Sequence, residues 1–396
     1  MMRLLFVADG RSPIARNWIR FFVERGDEVY LASTFQCDVD FPLKRLDFVP
    51  VAFSEVKKKS SLPRPASSRM INLRTAFRQV LGPLTISRAS RKLRALIEEI
   101  KPDLIHAMRI PYEGMLAADA CAALSGVTSE ARNAVEAPPL LVSVWGNDFT
   151  LHAPSTPLMR HYTNWTLKVA DALHADCKRD IRLAHEWGLK DGKPTLVMPG
   201  NGGIRTDVFY PPEKPVTVPI IINPRGFRVY LCNEAFFKSI PLVLAKRADA
   251  RFICSAMDGE PQVIQWIKEL GIEYAVKLNP PVPHAQMAEI FRGAQILVSP
   301  SIHDGTPNSL LEGMACGCFP IAGDLESIRE WITPGENGLL MDPTDPQSIA
   351  DAVLFALQST DLRRKAAGLN LDMINERAEY ARNMVKAKEF YEEVMK

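Results

Sequence analysis

Asp304 and Glu312 stand with seven residues between them in the stretch Ser299 to Gly317, SPSIHDGTPNSLLEGMACG. The residue types around them suit an anion site with a hydroxyl-binding carboxylate at its side. The apolar run Gln295 to Val298 reads as a strand that stops at Ser299-Pro300, and His303-Asp304-Gly305-Thr306 reads as the turn after it. A helix is expected next, with Thr306 as its N-cap and Pro307 at its first position, where a missing N–H costs nothing. The backbone N–H groups of Asn308 and Ser309 would then point out of the positive end of the helix dipole, a place for a diphosphate. Glu312 falls one turn later on the same face, where a carboxylate can accept two hydrogen bonds from a vicinal diol such as that of ribose. Asp304, ahead of the amides, is placed to meet a sugar beyond the diphosphate.

The rest of the chain reads as a frame of the same strand–turn–helix kind. Leu4 to Val7 is a buried-type strand. Ser12-Pro13 opens a helix to Glu24 with Ile14, Trp18, Ile19, Phe22 and Val23 at helical spacing, Gly26 ends it, and Glu28 to Ser33 is the next strand. That order describes a parallel α/β unit. No GxGxxG follows the first strand, so a nicotinamide site loses its main support. Asp103 to His106 and Leu140 to Trp145 read as strands whose ends open onto a crevice. The first ends in His106, and the second is followed by Gly146-Asn147-Asp148, which makes Asp148 a candidate polar group. The Gly-rich and then Pro-rich run Pro199 to Pro211 has the composition of an interdomain linker. In the second half, Val218 to Ile222 leads into a turn with Arg225 and Arg228, guanidinium groups suited to forking onto phosphate oxygens. The last helix is expected over Asn375 to Lys396.

At 396 residues the chain suits two domains of ordinary size, and its apolar fraction of 47% and charged fraction of 24% are globular values. No apolar run is long enough to cross a bilayer, and Met1 to Ala8 lacks a signal peptide's long apolar region and cleavage site. Seven scattered cysteines point to a reducing, cytoplasmic compartment. Cys316-Gly317-Cys318 has no partner pair and reads as buried packing, so neither a metal nor a cofactor is expected. The net charge of +2 is unevenly spread: Lys57 to Arg94 contains no Asp or Glu and interleaves its cations with Leu62, Met70, Ile71, Phe77, Val80 and Leu81. This arm is either a solvated face or a peripheral contact with an anionic membrane. No nucleic-acid motif accompanies it, and no nucleic-acid partner is expected.

These landmarks, in this order, resemble the retaining glycosyltransferases of the GT4 type (glycosyl transferases group 1), whose donor motif is a Glu, seven residues and a Glu. Here Asp304 shortens the first and Glu312 keeps the second. Pro199 to Pro211 resembles the family's hinge, Arg225 its diphosphate arginine, and Glu330 with Gly338-Leu339-Leu340 its tail; the family's following lysine is absent, with Arg228 as the candidate replacement. Where the family often shows His-x-His, this chain has His106-Ala107-Met108, and Arg11, Ser12 and Arg16 stand where a Gly-Gly loop is usual. The resemblance implies a GT-B fold, two Rossmann-like α/β domains facing across a cleft: residues 1–205, with 379–396 returning to it, on the acceptor side, and 206–378 binding the nucleotide-sugar. It implies Asp304, Arg225, Asp148 and His106 at the reacting centre. Glu312, Ser309, Asn308, Thr306, Gly305, Leu310, Arg228, Val282 and Ser12 would lie around the nucleotide-sugar, Val282 in the turn beside the base. The implied reaction moves a sugar, with retention, from a nucleotide-sugar, on family frequency a UDP-sugar, to a glycan or lipid-linked glycan in polysaccharide biosynthesis. A GT-B nucleotide-sugar 2-epimerase and a catalytically silent nucleotide-sugar-binding subunit are the alternatives.

Overall fold

Parallel strands covered by helices on both faces read as near-continuous apolar runs, and the strands of this chain do. The computed structural model describes residues 1–54, 78–124, 137–228 and 230–396. Among these the chain divides into two units: the first holds the described residues up to Gly202 together with Arg382–Lys396, the second Gly203–Ala381. Each has a wholly parallel sheet.

The first sheet comprises β1 (Arg3–Ala8), β2 (Glu28–Ser33), β3 (Arg45–Phe48), β4 (Leu104–Met108), β5 (Leu140–Val144), β6 (Ala172–Ala175) and β7 (Thr195–Val197), in the order β3-β2-β1-β4-β5-β6-β7. Its helices are α1 (Pro13–Glu24), α2 (Ile86–Ile100), α3 (Met115–Leu124), α4 (Pro157–Val169) and α5 (Lys178–Glu186). The second sheet comprises β8 (Ile220–Asn223), β9 (Arg251–Ser255), β10 (Val276–Asn279), β11 (Ile296–Ser299), β12 (Phe319–Gly323) and β13 (Leu339–Met341), in the order β10-β9-β8-β11-β12-β13. It is flanked by α6 (Asn233–Leu244), α7 (Pro261–Leu270), α8 (His284–Arg292), α9 (Asn308–Ala315), α10 (Pro346–Gln358) and α11 (Thr360–Arg377); α12 (Tyr380–Val394) follows. The strand order reverses between β1 and β4 in one sheet and between β8 and β11 in the other. Loops leaving the carboxyl ends of those strands diverge there and open a crevice.

Period-2 alternation splits the second unit's core into two layers. Ile221, Ile296, Val298 and Ile321 pack on one face of the sheet, Ile222, Leu297 and Ala322 on the other. Gly313 lets α9 lie close to β11, since a Cβ there would come within 2.4 Å of the Leu297 side chain.

One face of the first sheet is aromatic. Phe6 and His106 meet Trp18 and Phe22 of α1, and Tyr391 of α12 stacks on Phe22 at 4.6 Å. A hydrogen-bond chain runs through this layer, and its direction follows from its ends. The Trp18 indole can only donate, and it gives its proton to the Tyr391 hydroxyl at 2.8 Å. The Met198 carbonyl can only accept, and it takes the His174 Nε2–H at 3.0 Å. His174 Nδ1 therefore accepts from Ser143 Oγ at 2.8 Å, Ser143 accepts from His106 Nε2 at 2.7 Å, and His106 Nδ1 accepts from Tyr391 at 2.5 Å. Both imidazoles are neutral. Burial holds His174 down to about 4, and burial followed by His174 holds His106 well below its ordinary value.

Three local expectations change. Pro307, not Thr306, is the N-cap of α9, because Pro307 has extended backbone and Asn308 is the first helical residue. The last helix is two, broken after Arg377, where Ala378 leaves the helical region and Tyr380 bonds instead to Ile204. Strand β3 has only one fully apolar pair of residues and was missed by the sequence pattern. Of the basic arm, Lys57, Lys58, Lys59, Arg64, Arg69 and Arg74 lie outside the described residues. Arg88, Arg91 and Lys92 are exposed on α2, beside Leu84, which is 65% exposed. No helix among the described residues is long and apolar enough to cross a membrane.

Candidate functional site

The second unit gathers its polar residues at the β8/β11 switch point. Arg225 follows β8 and Asp304 follows β11, so two residues far apart in sequence become neighbours. Arg225 forms an ion pair with Asp304 through Nη1, with Nη2 3.4 Å from the second carboxylate oxygen. Burial opposes the Arg225 charge, but Asp304 and Tyr230 outweigh it and its pKa is raised. The β8 loop is shaped by Asn223, which accepts the Arg225 N–H at 3.3 Å, and by Asn233, which donates to the Gly226 carbonyl at 3.3 Å. Arg228 is exposed; its Nε donates to the Arg225 carbonyl and its Nη1 to the Tyr230 hydroxyl, each at 3.3 Å. Lys238 is tied to Glu234 on the outside of α6.

Around the start of α9, Thr306 accepts the Trp331 indole N–H at 3.0 Å, which fixes the turn in place of a cap. The Leu310 N–H turns back onto the Pro307 carbonyl at 2.9 Å, while the N–H groups of Asn308 and Ser309 have no acceptor among the described residues. Asn308 Oδ1, Ser299 Oγ and Ser255 Oγ are buried without hydrogen-bond partners among the described residues. Glu312 is 8% exposed and likewise has no described partner; burial alone raises its pKa from 4.5 to about 7. A folded protein rarely leaves so many buried polar groups unmatched. Gly305 and Leu310 are buried in the same turn and helix start, and Val282 lies in the loop between β10 and α8.

In the first unit Ser12 caps α1, its Oγ accepting the Ala15 N–H at 3.4 Å. Two expected reacting residues are engaged inside the first unit. His106 is 1% exposed with both ring nitrogens hydrogen-bonded. Asp148 is equally buried. Its Oδ1 accepts Arg109 Nη2 at 2.6 Å, and its Oδ2 accepts the N–H groups of Trp145 and Ile110 at 3.1 and 3.3 Å. It ties two loops together. Arg109 and Glu113 carry no sequence signal, because the turn after β4 that holds them has no motif.

The donor atoms of Asp176, Cys177 and Asp180 lie within 4.8 Å of one another. Arg179 already bonds Asp180 at 2.7 Å, and burial, then Asp176 and Asp180, push the Cys177 thiol up, so these residues fit an internal ion pair rather than a metal.

Residues 12–200 match the family described as glycosyl transferase 4-like domain, and residues 233–359 the family described as glycosyl transferases group 1. The chain is 26% identical over 212 residues to a D-inositol 3-phosphate glycosyltransferase of Thermobispora bispora, covering 49% of each protein. It is 37% identical over 102 residues to the protein of the same name from Thermomonospora curvata, covering 25% of this chain and 23% of that one. The matched stretch thus spans about half or less of these relatives. Among solved structures, sucrose-phosphate synthase from Thermosynechococcus elongatus superposes with a TM-score of 0.73 at 15% identity, covering 99% of both chains. Anabaena Alr3699/HepE in complex with UDP-glucose superposes with a TM-score of 0.72 at 14% identity, covering 98% of this chain and 99% of that one. These likenesses carry the GT-B fold.

Proposed function

This chain belongs to the group 1 glycosyl transferases of the GT4 type, and on that premise we propose that it moves a sugar from a UDP-sugar to a glycan or lipid-linked glycan, with retention at the anomeric carbon. The observation that carries the reading is Glu312, a buried carboxylate with no partner among the described residues, one turn above two N–H groups that likewise have no acceptor among them. The ribose diol supplies the two missing donors to Glu312, and the diphosphate supplies acceptors for Asn308 and Ser309. The Anabaena protein's complex with UDP-glucose supports the choice of nucleotide.

Arg225 exchanges its bond to Asp304 for one to the diphosphate, which gains negative charge as the glycosidic bond breaks; the released Asp304 carboxylate accepts from a hydroxyl of the sugar. Arg228, on the same loop, adds a second cation. Thermal unfolding with UDP, GDP, ADP and their sugars tests the reading, because a ligand at 100 times its Kd adds about 2.7 kcal/mol of stability. A shift for UDP and UDP-sugars supports it, and no shift with any nucleotide overturns it.

The acceptor side carries a companion proposal. Leu84 with Arg88, Arg91 and Lys92 suits peripheral contact with an anionic membrane, each engaged cation contributing about 1 kcal/mol. Sedimentation with anionic but not neutral liposomes, lost at high salt, supports it; equal binding to both refutes it.

A further inference from the structure

The turn over 304–306, which carries Asp304 into α9, is held by side chains of another loop. That loop follows β12 and contains one helical turn, Ile328–Glu330. Ser327, wholly buried, donates from Oγ to the Asp304 carbonyl at 2.7 Å. Trp331, also buried, donates its indole N–H to Thr306 Oγ1 at 3.0 Å. An indole N–H can only donate, so the Thr306 oxygen is committed as its acceptor. The turn is thus fixed at its first and last residues from 23 and 25 positions away.

The loop is itself braced from behind. Asn337 donates from Nδ2 to the Trp331 carbonyl at 2.8 Å and to Asn370 Oδ1 at 2.9 Å, and Asn370 returns a bond to the Asn337 carbonyl at 3.0 Å. Arg377, the last residue of α11, donates to the Glu330 carbonyl at 2.9 Å, and its guanidinium lies 4.3 Å from the centroid of the Trp331 ring. Trp331 therefore stands between α11 and the turn, its ring against one and its N–H on the other. A Cβ at Gly323 would strike the Ser301 carbonyl, so the end of β12 is pressed against the segment that enters the turn.

This bracing controls direction. Pro307 has its φ locked by its ring, whereas Gly305 has no such restraint. The bond from Ser327 fixes the peptide plane after Asp304, and the bond from Trp331 fixes the Thr306 side chain, so the freedom of Gly305 is removed from both sides. The line along which the Asn308 and Ser309 N–H groups leave α9 follows from this. So does the place of the Asp304 carboxylate beside Arg225. Misplacing such groups by about 1 Å can cost about a hundredfold in rate.

We propose that Ser327 and Trp331 are positioning residues for the donor diphosphate, acting through the turn whose amides and carboxylate meet the donor. This rests on the transferase reading, because the direction of the turn matters to function only if a donor binds there.

The test is titration of the full chain with UDP and with uridine, which has the diol but no phosphate. Trp331→Phe and Ser327→Ala should each weaken UDP about tenfold and uridine by no more than about twofold, because the loss is confined to the phosphate turn. Thr306→Val breaks the Trp331 bond from its other end, which keeps the proposal falsifiable if Trp331→Phe does not fold. Thr306→Ser retains the acceptor and should stay within about threefold of the parent. The double variant Trp331→Phe with Thr306→Val should bind UDP no more weakly than the weaker single variant, since one bond can be lost only once. In proton–nitrogen spectra the indole signal missing from Trp331→Phe belongs to Trp331, and UDP should shift it in the parent. The proposal is overturned by UDP affinity unchanged in Trp331→Phe and Ser327→Ala, by uridine lost in parallel with UDP, by losses that add in the double variant, or by a Trp331 signal that UDP leaves unmoved. The two readings fail separately. A parent that binds no UDP sinks the transferase reading, while a parent that binds UDP no better than its variants sinks the positioning alone.

Discussion

Replacing Glu312 by Gln should stabilise the free protein and weaken its hold on the nucleotide, opposite effects from one substitution. The magnitude follows from the raised pKa. Below pH 4.5 the carboxyl is protonated in both the folded and unfolded chain and costs nothing. As pH rises from 4.5 through about 7 the unfolded chain gives up its proton first, and native stability falls. The displacement from 4.5 to about 7 corresponds to about 3 kcal/mol. Glu312→Gln removes the ionisable group while keeping its shape, so urea unfolding at about pH 8 should show the variant more stable by up to that amount, with the difference vanishing near pH 4. Glu113 has a similarly raised pKa, but it is present in both proteins and cancels. Binding moves the other way. The diol's two charge-assisted bonds are worth on the order of 2–3 kcal/mol, a loss of tens-fold in UDP affinity for the variant. UDP binding to the parent should also expel the Glu312 carboxyl proton and tighten between about pH 6 and 8. A variant less stable than the parent at pH 8 would mean that Glu312 has a partner in the folded protein, and the reasoning would fail.

Two further outcomes follow from the other polar clusters. Asp304→Asn frees Arg225 from its carboxylate, so UDP should bind at least as tightly while turnover falls; a parallel loss of both, in calorimetry and initial-rate assays, would refute the exchange of partners. Tyr391→Phe strands the Trp18 N–H and His106 Nδ1, each unmatched group costing about 1–3 kcal/mol. With both imidazoles depressed, their own contribution to stability is fully present above pH 6.5 and is lost as pH falls from there through about 4, opposite in sign to that of Glu312 and Glu113. Urea midpoints across that range check both statements, and a Tyr391→Phe cost below about 1 kcal/mol would break the assigned chain.

The frame was legible because parallel strands and their helices leave strong period signals. Glu28–Ser33, Ala172–Ala175 and Arg251–Ser255 end where the apolar runs end. The cap of α9 was not legible, since Thr306 and Pro307 both suit helix starts and the choice was made by Trp331, a tertiary partner 25 positions away. The order of strands was equally hidden. Nothing local says that β8 lies beside β11, yet that adjacency is what pairs Arg225 with Asp304.

Residue type alone also could not separate His106 and Asp148 from Glu312. All three are buried polar groups near the carboxyl ends of parallel strands, and each is a plausible reacting group on paper. The difference lies in what surrounds them. His106 has both ring nitrogens engaged and Asp148 accepts at both carboxylate oxygens, so much of the free energy of their burial is recovered inside the fold. Glu312, Ser299, Ser255 and the Oδ1 atom of Asn308 are buried and unmatched among the described residues of one unit. An unmatched buried group destabilises the free protein unless something else completes it, and a sugar nucleotide offers hydroxyl donors and phosphate acceptors in the complementary positions. On the proposed reading, Glu312 and the start of α9 therefore face the nucleotide, while His106 and Asp148 hold the fold.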